Sequence, residues 1–157
     1  MTSPIHLGFS GTRHFASDPQ LSTVRELVIA LRFWAPLVAH HGLCVGADEQ
    51  FHGVCREPDI LAEVIGHPGP DWPDGEFCAY TICGRTLDPL PHMKRNAAIV
   101  AASHIMIAAP FENTPQPRGG TWATIGMARK ALRAGKLRAL YVVGREGQLL
   151  EHEEWPT

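Results

Sequence analysis

The sequence predicts an α/β fold: a doubly wound parallel sheet of about five strands between two helical layers, in a single domain over residues 1–157. Three observations carry this. Short apolar runs alternate along the chain with segments of helical period, the order that builds a parallel sheet with crossover helices. The runs are nearly continuous in apolar residues rather than alternating, as in strands covered on both faces. Finally, 157 residues at 45% hydrophobic content are enough for one core of ordinary size. Right-handed crossovers then place helices on both sides of the sheet.

Each element follows from local chemistry. Residues 5–9 (IHLGF) form the first strand, ended by SGTRHF at 10–15. Asp18 followed by Pro19 opens a helix, a side-chain cap and then a residue with no amide hydrogen to lose. Leu21, Val24, Leu27, Val28, Leu31 and Trp34 continue it at helical spacing. Pro36 bends or ends this helix, and Gly42 is its latest stop. Residues 43–47 (LCVGA) are the expected second strand, and Asp48 opens a short helix to about Glu57. A third strand lies within 60–65. Residues 66–91 are rich in proline and glycine and show no period, which marks a functional loop over the site. A helix from Pro91 or His92 to Ala102 follows, then a strand over 104–108 and the loop PFENTPQPRGG. Trp122, Ile125, Ala128, Arg129 and Leu132 mark the next helix, whose cationic last turn suits its dipole and which Gly135 caps. A fifth strand over 137–143 leads through GREGQ into a polar tail.

Composition excludes several classes. The net charge of −2 and charged fraction of 19% argue against a nucleic-acid partner, as does the lack of a basic stripe or aromatic platform. No apolar run reaches the roughly 18–20 residues that span a bilayer, so no membrane partner is expected. The N-terminus has no basic stretch of a signal peptide, and a cytoplasmic location is expected. Cysteines at 44, 55, 78 and 83 contain no CxxC pair and read as reduced thiols. His40, His41, Cys44 and His52 crowd one segment, but strand geometry need not bring them together, so neither a metal site nor a cofactor is expected.

In this architecture ligands bind beyond the carboxyl ends of the strands. SGTR (10–13), GAD (46–48), KRN (94–96) and RGGT (118–121) all fall toward that rim. Gly119 and Gly120 leave helix-start amides open to an anion, and Thr121 adds a hydroxyl. Gly11 and Thr12 offer a second amide-rich turn. Arg13, Lys94 and Arg95 bring charge-assisted donors, and Asn96 both donates and accepts. Taken singly, a Gly-Gly pair is ordinary turn chemistry and an arginine an ordinary surface residue; the shared position makes the candidate phosphate site. Gly46, Ala47 and Pro110 complete the rim. Asp48 either caps its helix or accepts from a ligand hydroxyl. His52, four residues on, shares its helix face and forms with it a candidate proton-transfer pair.

The order Gly-Thr-Arg, Gly-Ala-Asp, Arg-Asn, strand-Ala-Pro and Gly-Gly-Thr resembles the SLOG superfamily of Rossmann-like proteins, over about residues 5 to 143. That group includes the Lonely Guy phosphoribohydrolases, the DNA-processing protein A core and nucleotide-derivative sensors. The resemblance implies a nucleotide or nucleotide-derived small molecule with its phosphate at Gly119, Gly120 and Thr121, and Arg95 as the family's arginine. Since members often dimerise, it also implies a homodimer. One departure is decisive. Lonely Guy enzymes carry Gly-Gly-x-Gly-Thr-x-x-Glu, and here Thr124 falls at the glutamate position. A threonine supplies neither a carboxylate base nor charge for an oxocarbenium-like sugar. The expectation is therefore a binder acting as sensor, carrier or sponge. The alternative is a nucleotide N-glycosidase using a non-standard carboxylate, with Asp48 first, then Glu49 or Glu112.

Overall fold

The computed structural model describes residues 2–75 and 84–154. Strand β1 (Ile5–Gly11) leads into helix α1 (Asp18–Trp34), then β2 (Leu37–His41), α2 (Ala47–Cys55), β3 (Glu63–Gly66) and β4 (Arg85–Thr86). Helix α3 (His92–Ala102), β5 (Ile105–Ala109), α4 (Gly120–Arg133), β6 (Ala139–Val143) and β7 (Leu149–Glu154) complete the order. The sheet runs β4-β3-β2-β1-β5-β6-β7. All neighbours are parallel except β6 and β7. The winding reverses between β1 and β5, the kind of crevice where such sheets bind ligands.

Period-two alternation sorts the strands between two cores. Leu7, Phe9, Ala39, Ile107 and Val143 pack with Val24, Val28 and Phe51 of α1 and α2 on one face. Met106, Ala108, Leu140 and Val142 pack with Ile99, Ile125, Ala128 and Leu132 of α3 and α4 on the other. This is the doubly wound, three-layer arrangement the sequence predicts.

Four expectations are corrected or sharpened. The second strand is Leu37–His41 rather than 43–47. Ala35 already leaves α1 in an extended conformation, so the chain enters the sheet at once. Leu43 and Gly46 then take left-handed φ values of 58° and 93°, which a strand does not accommodate. The third strand begins at Glu63, because Leu61 also turns left-handed with φ 44°. The sheet exceeds five strands: β4 adds a two-residue edge, and the expected polar tail is the antiparallel edge strand β7. Its charged residues suit an exposed edge, and Glu151 accepts from Arg129 Nε of α4 at 2.9 Å. Finally, α1 is capped by Ser17, not Asp18, in a reciprocal capping box with Gln20. Within the proline- and glycine-rich loop, residues 76–83, including Cys78 and Cys83, lie outside the described residues.

Gln20 ties these elements together. Fully buried, it donates through Nε2 to the carbonyls of Pro110 (2.9 Å) and Val143 (2.8 Å). Its Oε1 accepts from Arg145 Nη1 at 3.1 Å. One amide thus joins the start of α1 to the carboxyl ends of β5 and β6, which sets the rim of the sheet.

Candidate functional site

At the crevice between β1 and β5 lies a cavity of about 470 Å³, within the roughly 300–1,000 Å³ common to small-molecule sites. Its floor is the turn after β1. Thr12 donates its amide to Ala109 at 3.0 Å and accepts at its carbonyl from Ala47. Its hydroxyl accepts from the His14 amide at 3.1 Å. The Gly11–Arg13 segment is therefore clamped between β5 and α2, and the exposed Arg13 side chain stands on the cavity wall.

The start of α4 forms a second wall. Gly119 is the N-cap, at φ −91° and ψ 125°, and supplies no side-chain cap. Among the described residues no side chain caps the first-turn amides, at the end of the helix where the dipole is positive. A Cβ placed on Gly120 meets nothing within 4 Å, so packing does not require glycine there. Arg118, Gly119, Gly120 and Thr121 all line the cavity. Trp122 is anchored beside them, donating Nε1–H to the Glu112 carbonyl at 3.2 Å.

Arg95, in the first turns of α3, is only 5% exposed. Its Nη1 donates to the carbonyls of Gly42 (2.9 Å) and His67 (3.2 Å), and its Nε to Asn96 Oδ1 at 2.7 Å. Gly42 is required here, because a Cβ would stand 2.6 Å from Nη1 and 3.2 Å from Asp48 Oδ2. The guanidinium therefore staples the loop after β2 to the loop after β3 while reaching the cavity beside Cys44. Burial pushes the Cys44 thiol up to about 11, ahead of the repulsion from Asp48, so this sulfur stays protonated and a weak nucleophile.

Of the residues singled out in the sequence, the structure brings Gly11, Thr12, Arg13, Arg95, Asn96, Pro110, Gly119, Gly120 and Thr121 to this one cavity. Gly46, Ala47 and Asp48 lie behind it. Gly46 is held by close approach, since a Cβ would stand 2.3 Å from the Arg13 carbonyl. Asp48 is buried, its Oδ2 accepting from the amides of Gly42 (3.0 Å) and Cys44 (3.2 Å). Burial pushes its carboxyl up to about 6, against the amides and Arg95, which favour the anion. It acts on the loop rather than on the cavity's contents. The Asp48–His52 pair is likewise behind the wall, with His52 Nδ1 joined to His41 Nε2 at 2.9 Å. Lys94 is exposed and off the cavity. Thr124 is buried and off it as well.

Among the described residues, Glu112 is the one carboxylate on the cavity wall. Sequence reasoning passed over His14, His92, Met93, Phe111 and Trp122 as wall residues. Phe111 carried a usable signal, since it directly follows a strand end and Pro110. His92 and Met93 carried none, because their role depends on how α3 crosses the sheet. No group of three or more His, Cys, Asp or Glu side chains among the described residues is arranged to hold a metal ion.

No family model matches the sequence, and no curated protein matches it either. Solved structures do. The molybdenum cofactor binding protein of the phototrophic bacterium Rippkaea orientalis superimposes with a TM-score of 0.65 at 17% identity, over 92% of this chain and 78% of that one. The molybdenum cofactor carrier protein of Chlamydomonas reinhardtii gives 0.59 at 19%, over 90% and 76%. DNA processing protein A of Helicobacter pylori gives 0.52 at 18%, over 90% and 66%. These structures share with this chain a Rossmann-like α/β fold.

Proposed function

We propose that the chain binds a nucleotide or nucleotide-derived small molecule in the rim cavity, with its phosphate at Gly119, Gly120 and Thr121. The observation that carries this is the uncapped start of α4 facing the same cavity as Arg13, Arg118 and the anchored Arg95. A helix N-terminus with converging cations is a ready anion site. Small-molecule capture also fits the structural likeness to molybdenum cofactor binding and carrier proteins. The protein then serves as a sensor, carrier or sponge. Calorimetric titration with nucleoside monophosphates tests it: binding is expected in the wild type and lost in Arg118→Ala combined with Gly120→Val. Absence of binding to any monophosphate overturns it.

A second reading, cleavage of the N-glycosidic bond, has one observation in its favour: Glu112 reaches the cavity where Asp48 does not. Release of free base that disappears in Glu112→Gln establishes it. No release from any monophosphate leaves binding as the activity.

A further inference from the structure

Phe111 is 45% exposed and lines the cavity. Its setting is fixed rather than loose. The Arg145 guanidinium carbon stands 4.8 Å from the centre of the Phe111 ring. That guanidinium is itself pinned, with Nη1 donating to the Phe15 carbonyl and to Gln20 Oε1, both at 3.1 Å. The Arg145 amide donates to Asn113 Oδ1 at 2.9 Å, which ties the Phe111 loop to the turn after β6. The His14 ring, also on the cavity wall, tilts against Phe111 at 5.0 Å. An aromatic on a cavity wall that stays half open while a cation and a second ring hold it is a platform for a planar group. Such rings bind planar aromatic groups by stacking, and a cation beside the ring adds to this.

We infer that Phe111, held by Arg145 and Gln20, stacks the planar heteroaromatic ring of the ligand whose phosphate the start of α4 receives. This rests on the nucleotide reading above and adds to it which residue discriminates a base-bearing ligand from a bare sugar phosphate. Phe111 and His14 are the ring-binding wall, and Gln20 and Arg145 are positioning residues.

The test is a titration of the full chain with AMP, GMP, CMP and UMP, and with ribose 5-phosphate as the ligand lacking a ring. In the wild type at least one monophosphate is expected to bind about 10-fold or more tightly than ribose 5-phosphate. Phe111→Ala removes that advantage and leaves ribose 5-phosphate binding unchanged, while Phe111→Tyr keeps it. Arg145→Met shrinks it without abolishing ribose 5-phosphate binding. Equal binding of the tightest monophosphate by the wild type and Phe111→Ala, or no gain from any base over ribose 5-phosphate, overturns the ring subsite alone. Failure of ribose 5-phosphate and of all four monophosphates to bind overturns the nucleotide reading itself.

Discussion

The Thr124 hydroxyl donates to the Gly120 carbonyl, 2.8 Å away and one turn back in α4. With 1% of its surface exposed, Thr124 turns away from the cavity that its helix start helps to form. Its hydroxyl satisfies the helix rather than a ligand. Thr124→Val should thus change stability by less than about 1 kcal/mol and leave monophosphate binding intact. Thr124→Glu should cost about 3 kcal/mol or more, because it buries an unpaired carboxylate, and should not create base release. Chemical denaturation and a free-base assay check both.

Gly120 separates fold from function. Its added Cβ meets nothing, so Gly120→Val should fold with a stability loss or gain under about 1 kcal/mol. The branched side chain then covers the first-turn amides and should weaken ribose 5-phosphate binding by about 10-fold or more. Circular dichroism melting and calorimetry on the same sample separate the two effects.

Asp48 should behave as a structural residue. Asp48→Ala leaves the amides of Gly42 and Cys44 without their acceptor and removes the anion nearest the Arg95 staple. A loss of about 3 kcal/mol is expected. By contrast, any ligand binding should survive in the fraction that stays folded. Urea denaturation followed by tryptophan fluorescence measures the loss.

Acid should unfold the protein early. Burial holds His40 and His41 down to about 3 and His67 down to about 4, from an ordinary value of 6.5. The folded protein keeps these imidazoles neutral while the unfolded chain protonates them below about pH 6.5. Stability is therefore full above that pH and falls as pH drops toward the folded values. Asp48 has the opposite sign: with its carboxyl up at about 6, the folded state takes up that proton first and offsets part of the loss. The midpoint of thermal unfolding should fall by about 5–10 °C from pH 7.5 to pH 5. His40→Asn combined with His67→Gln should flatten the profile.

Much of the fold was legible from apolar runs and caps, but two apolar runs competed for one strand. Residues 37–41 (LVAHH) and 43–47 (LCVGA) are both short and bounded by turn residues. The adjacent histidines make the first look polar, and only cross-strand partners reverse that. His40 Nε2 meets His6 Nδ1 at 2.9 Å and His40 Nδ1 meets His67 Nε2 at 2.8 Å, while His41 pairs with His52. No local preference encodes such a chain. The tail misled for a similar reason, since LLEHEE resembles a strand only once β6 offers its edge.

By itself, the sequence determined the alternation of elements, the doubly wound class, and the glycine pair opening α4, because helical period, turn residues and capping act over a few neighbours. Only the tertiary structure decided which charged groups face the cavity and which hold it up. Arg95 and Asp48 are both charged rim candidates in the sequence. Burial and the carbonyls and amides around them make one a staple reaching the cavity and the other a loop anchor behind it. Those partners lie far apart along the chain, as with Arg95 and Gly42, so no local pattern ranks the two.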